Sequence, residues 1–238
     1  FFPIPTASTT SCPFLSHPQF FYRPSTDWVQ DTATATTKWG DIGDWDVSDV
    51  TDFSHAFSVH RNEAGGSQST NGNLKAASFI GGGASKWSTT AATSLSFAFA
   101  GAKAMNVDLL LWDVAKVTSL LNTFQGTTAF TGAGLHTFDT SSVKDMGHTF
   151  DGASAMNADL FGWTVGKVTT MFCTFCGASK FTGKGLGSWI TSKVKTLEKT
   201  FSGASNFIGT GLKSWDTASV TSMDSTFEYA GEMVTDLS

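Results

Sequence analysis

Three cysteines in 238 residues are too few for a disulfide framework. No apolar run approaches the roughly 18 residues that a membrane-crossing helix requires, so the chain carries no transmembrane span of that kind. Charge is also scarce, with Asp, Glu, Lys and Arg making up 15% of the chain and a net charge of −5. The bases form no stripe, which excludes nucleic acid as an expected partner. Five histidines (His17, His55, His60, His136, His148) and scattered Ser and Asp compose no nucleophile elbow, phosphate loop or H-E-x-x-H, so the chain is not expected to be an enzyme. All five prolines lie within residues 1–25, leaving the remainder free of that breaker.

What is abundant is aromatic and periodic. Seven phenylalanines, Phe57, Phe99, Phe124, Phe150, Phe175, Phe201 and Phe227, share one phase of a repeat. Twelve residues before each stands Trp45, Trp87, Trp112, Phe138, Trp163, Trp189 or Trp215, at steps of 42, 25, 26, 25, 26 and 26. A fixed period of that length predicts stacked turns, each burying its apolar edge against the next. Other columns keep the register. Val50, Ala92, Val117, Val143, Val168, Val194 and Val220 follow the aromatic at five, and glycines Gly101, Gly126, Gly152, Gly177 and Gly203 follow at fourteen. Ala84, Leu109, Leu135, Leu160, Leu186 and Leu212 precede it by three. Two flavours are visible: MNVDLLLW or MNADLFGW, and the longer FTGAGLHTF, FTGKGLGSW or FIGTGLKSW, whose paired glycines suit a corner where a side chain would clash. Asn106 and Asn157 can bond exposed backbone at the same corner of the short flavour.

The pattern W-D-x-S-x-V-T-x-M-x-x-x-F-x-G-A-x-x-F/M-N-x-D-L, clearest in WDVSDVTDFSHAF (45–57) and WDTASVTSMDSTF (215–227), resembles the BspA-type leucine-rich repeat family across residues 39–238. Phe138 in place of Trp, WSTTAATSL after Ala84, and an insertion over residues 60–76 depart from it. The resemblance implies a repeat solenoid: a leucine-rich-repeat-like, right-handed array of 25–26-residue turns with one short parallel strand per repeat. It also implies binding, adhesion or assembly rather than catalysis.

Three segments follow. Residues 1–25 read as an extended, Pro-containing apolar arm that docks on the repeats or on a neighbour. Residues 26–44 read as a capping helix and lead-in, started by Thr26 or Asp27, stopped at Gly40, with Trp28, Ala35 and Trp39 facing the first repeat. Residues 45–238 hold seven repeats and, in MVTDLS, the opening of an eighth. Lacking an initiating Met, the chain reads as processed or as a fragment. The polar stretch Arg61–Ser78 is too long for a plain corner and reads as a contact loop or a disordered tip.

Two columns invite a metal. Cys173 and Cys176 read either as a local disulfide or as two free thiols, and Cys12, the odd cysteine, is an alternative partner for one of them. His148 and Asp151 occupy the same columns one repeat earlier, so these four can surround one zinc ion, but a lone C-x-x-C is a weak signal and no metal or cofactor is assigned. Asp46, Asp113, Asp139 and Asp216 follow the aromatic directly; Ser88, Thr164 and Ile190 interrupt that column, so turn formation outweighs calcium binding.

The surface carries the functional expectation. If Leu109 and its column point inward, the next column (Ser85, Leu110, His136, Phe161, Gly187, Lys213) turns outward by strand alternation. Leu110, Leu111, His136, Phe161 and Lys213 are therefore the candidate partner-binding residues. The chain reads as a non-catalytic protein-binding scaffold, a bracing subunit of a multi-subunit assembly that admits peripheral association with a membrane complex. The alternative is a cell-surface adhesin or glycan-binding module. The surface style suits an extracytoplasmic setting, secreted or at the cell surface. The N-terminal Phe resembles the residue left by transit-peptide cleavage in algae with red-derived secondary plastids, which keeps the plastid or thylakoid lumen as the alternative location.

Overall fold

A computed structural model describes residues 18–61 and 72–234. The arm (except from Pro18 onward), Cys12, most of the insertion and the last residues of MVTDLS lie outside the described residues.

The described residues open with α1 (Pro18–Gln30) and α2 (Thr32–Trp39), followed by a 3-10 turn at Ile42–Asp44. The cap is thus two helices, and α1 begins inside the stretch expected to be an extended arm. Asp31, rather than Thr26 or Asp27, caps α2, its carboxylate accepting from the Thr34 backbone N–H at 3.1 Å. Gly40 ends α2 at φ 77°. Trp28 lies edge-on to Trp45 at 5.8 Å, and Phe21 meets Phe53, Phe57 and Trp87, so α1 seals the first turn of the stack.

The expected leucine-rich-repeat-like solenoid, with a strand in every repeat, is overturned. Among the described residues there is no β-strand and no sheet. Neighbouring repeats touch instead through single parallel bridges: Asp52 to Ser94, then Ser119, Asp145, Thr170, Thr196 and Ser222. The physical reason is a division of backbone donors. The N–H groups of Met146, His148, Phe150 and Gly152 reach carbonyls of the following repeat, while those of Thr149, Asp151 and Ala153 close local turns onto the residue three positions back. A strand needs its backbone extended; here every second donor is spent on a turn. Each repeat also has a left-handed residue other than glycine at one position, His55, Phe97, Asn122, His148, Cys173, Lys199 and Ser225, all with φ of 52–59°, and in the last repeat Tyr229, at φ 59°, is a second. The ribbon is a stack of turns, pinned from repeat to repeat.

The interior is made of aromatic ladders. Phe57 to Phe227 stack in one column with centroids 5.5–5.9 Å apart. The Trp column stacks at 6.0–6.4 Å where neighbouring rungs face one another. Between the columns run Leu109, Leu135, Leu160 and Leu186, fully buried. At roughly 1.5–3 kcal/mol per buried large side chain, each repeat contributes several such terms toward offsetting its ordering entropy.

Candidate functional site

The corner between the Met/Phe column and the Trp column carries the candidate residues, and each repeat flavour builds it differently. In the short flavour, Asp108 Oδ1 accepts from Leu110 N–H and Asp159 Oδ1 from Phe161 N–H, both at 3.0 Å. Each Asp closes a turn onto the residue two ahead, and that residue's side chain points to solvent. The Phe161 N–H holds the Asp159 carboxyl below the usual carboxylate range, with Lys184, 3.2 Å away, adding to the effect. In the long flavour the paired glycines do this work. Gly134 has φ 85°, and a Cβ there would fall 2.2 Å from Leu110 N, so only glycine lets the two flavours stack. Asn106 and Asn157 tie the corners together, each accepting from the backbone N–H and hydroxyl of Thr131 or Thr182 at 3.1 Å.

The structure leaves Leu110, Leu111, His136, Phe161 and Lys213 all exposed. Leu110, Leu111 and Phe161 show 49%, 65% and 72% of their surface. Leu110, His136 and Phe161 sit on three successive corners: Thr137 Oγ1 donates to Leu110 O at 3.4 Å, and a Cβ on Gly162 would lie 3.1 Å from His136 O. Lys213 lies two repeats beyond Phe161 and is apart from them. Strand alternation is not what exposes this column. Leu135–Thr137, Leu186–Ser188 and Leu212–Ser214 are 3-10 turns, which bury the Leu and release the next residue.

The acid column forms turns. Asp46, Asp113, Asp139 and Asp216 each accept a backbone N–H two residues on, at 2.9–3.0 Å. The Ser48 hydroxyl and then its N–H lower the Asp46 carboxyl; Ser141 does the same for Asp139.

Cys173 and Cys176 are disulfide-bonded. In the neighbouring repeat, His148 Nδ1 lies 3.0 Å from Asp151 Oδ2, to which Gln125 Nε2 donates at 3.1 Å.

Two features have no counterpart in the sequence reading. Thr123, Thr149, Thr174, Thr200 and Thr226 form a buried ladder whose hydroxyls donate to Leu95, Leu120, Met146, Met171 and Leu197 carbonyls at 2.9–3.0 Å. Their spacing held the signal, because each sits one residue before the invariant Phe. The second is Arg61, placed by sequence in a polar loop but 1% exposed. Its guanidinium donates to Ser25 Oγ and Ala56 O at 2.8 Å and to Tyr22 O at 2.5 Å, and lies over the Tyr22 ring. Burial pushes it down to about 10, so it remains charged at neutral pH. The bond to Ala56 O is local, but the other two partners, Ser25 and Tyr22, belong to α1, some 36 to 39 residues away.

A concavity of about 190 Å³ at the cap is lined by Asp27, Gln30, Asp31, Thr34, Ala35 and Lys38. Asp27 is committed there to Lys38 at 2.9 Å and to the Trp39 indole at 2.8 Å. No helix among the described residues is long and apolar enough to cross a membrane.

A family profile described as "Mycoplasma protein of unknown function, DUF285" matches residues 27–65, 67–185 and 173–238. No curated protein and no solved structure matches the chain.

Proposed function

We propose that this chain, which belongs to the DUF285 family, is a non-catalytic subunit that binds and braces other proteins within a larger assembly. The observation that carries this reading is the exposure of Leu110, Leu111 and Phe161 on corners built to hold them outward. An apolar group kept in water by a dedicated turn is an unused contact, and a protein partner is the ordinary way to use it. The stack behind it is pinned from repeat to repeat, so binding there requires little further ordering. The Cys173–Cys176 disulfide favours an extracytoplasmic setting.

A second reading, a glycan-binding adhesin, is favoured by one feature. Phe161, at 72% exposure, offers a flat ring beside His136 on the preceding corner.

One experiment separates the two. The tagged full chain is recovered under native conditions from its source, and the proteins that co-elute are quantified. A stoichiometric protein set, lost in the double variant Leu110→Asp/Phe161→Asp, supports the bracing role. Recovery of polysaccharide alone transfers the same face to the adhesin reading.

A further inference from the structure

We propose that His148, Asp151, Cys173 and Cys176 form a zinc site that the Cys173–Cys176 disulfide closes and its reduction opens. Ligand atoms of His148, Asp151 and Cys173 already lie within 4.8 Å of one another. Tetrahedral zinc with bonds of roughly 2.0–2.3 Å needs its ligand atoms about 3.6 Å apart, so side-chain rotations of about an ångström complete the set. Cys176, bonded to Cys173, supplies the fourth donor when the bond opens. The two pairs come from adjacent repeats in matching columns, His148 with Cys173 and Asp151 with Cys176. Stacking therefore fixes them across from each other, as Gly152 N–H donating to Cys176 O at 2.7 Å shows.

A supporting shell is in place. Gln125 Nε2 donates to Asp151 Oδ2, and Gln125 is itself held by Asn122 at 2.7 Å. Such partners orient a metal-binding carboxylate. Phe172 lies edge-on to the His148 ring at 4.9 Å and limits its rotation. Access is from solvent, because Asp151 lines a shallow depression with His60, Gly101, Gln125, Gly126 and Gly152.

The redox step balances. A dithiol reductant transfers two electrons and two protons to the Cys173–Cys176 bond, leaving two thiols and closing to its own disulfide. Zinc then displaces both thiol protons to solvent and binds the thiolates with neutral His148 and ionised Asp151. Exchange with a disulfide oxidant, which takes the two electrons and, with two protons from solvent, leaves as its dithiol, re-forms the Cys173–Cys176 bond and releases the ion.

The test titrates zinc alone, against a chromophoric chelator, into the full chain before and after phosphine reduction without oxygen. The expected result is one zinc per reduced chain, and binding at least about a hundredfold weaker once oxidised. His148→Ala and Asp151→Asn each weaken it by about tenfold or more, with thermal melts confirming that the variants fold. Cobalt substitution of the unaltered reduced chain is expected to give tetrahedral spectra with thiolate charge-transfer bands, independent of any variant. Equal affinity in both redox states, no binding to the reduced chain, or full affinity without His148 overturns the proposal.

Discussion

The indole N–H of Trp163 donates to the carbonyl of Leu135, 2.8 Å away and one repeat back. The same bond joins Trp87 to Ile42, Trp112 to Ala84, Trp189 to Leu160 and Trp215 to Leu186 at 2.7–3.2 Å. Phe138 keeps the ring of this column and lacks the donor. Trp163→Phe is therefore expected to cost about 0.5–1.5 kcal/mol beyond its lost area. Phe138→Trp is expected to move stability the other way by bonding Leu109 O. Urea unfolding of both variants checks the signs; a stabilised Trp163→Phe would refute the ladder's contribution.

Gly126 and Gly134 differ in kind. Both are left-handed, at φ 67° and 85°, but a Cβ on Gly126 meets nothing closer than 3.6 Å, whereas on Gly134 it strikes Leu110 N at 2.2 Å and Leu109 C at 2.4 Å. Gly126→Ala is expected to cost about 1 kcal/mol from backbone strain alone. Gly134→Ala adds a backbone clash and is expected to cost several times more. Comparable losses in thermal melts would show that conformation, not space, dictates both.

Arg61 holds α1 to the stack through Ser25, Ala56 and Tyr22. Arg61→Met, similar in length but uncharged, takes the guanidinium donor from the Ala56 carbonyl and the Ser25 hydroxyl, while the Tyr22 carbonyl keeps the Ser25 and Thr26 hydroxyls, and is expected to cost more than about 2 kcal/mol. Faster hydrogen exchange confined to residues 18–39 is the accompanying signature. Unchanged exchange there would show that the helices dock by apolar contact alone.

Acid weakens the turns. Hydrogen bonds hold Asp46 and Asp139 below the ordinary carboxylate value, so they bind fewer protons folded than unfolded. Their contribution is present above the unfolded pKa near 4 and fades as pH falls through the folded values. The Tm is therefore expected to fall between about pH 5 and pH 3, and less steeply in Asp46→Asn/Asp139→Asn, whose amide oxygens still accept the Ser48 and Ser141 N–H. An unchanged slope in that double variant would remove these carboxyls from the pH response.

Much of this was legible without coordinates because identical residues at a fixed period can only satisfy one another by stacking. The Phe and Trp columns, the corner glycines, the capping turn at Gly40 and the Asp turns follow from spacing and from each residue's own conformational limits. The strand expectation failed because alternation and turn-stacking leave similar apolar patterns, and only the backbone donors tell them apart. Arg61 was misplaced because its site is made by α1, far away in sequence. The outward set of Leu110 and Phe161 was inferred from a strand that does not exist, yet Asp108 and Asp159 achieve it by a two-residue turn.

The sequence by itself determined the period, the ladder residues and the positions where a side chain is forbidden, since these depend on local geometry repeated many times. Only the tertiary structure decided which backbone donors cross between repeats and where Arg61 is buried. Those depend on how each turn lies against the next, a relation between residues about 25 apart that no single repeat encodes.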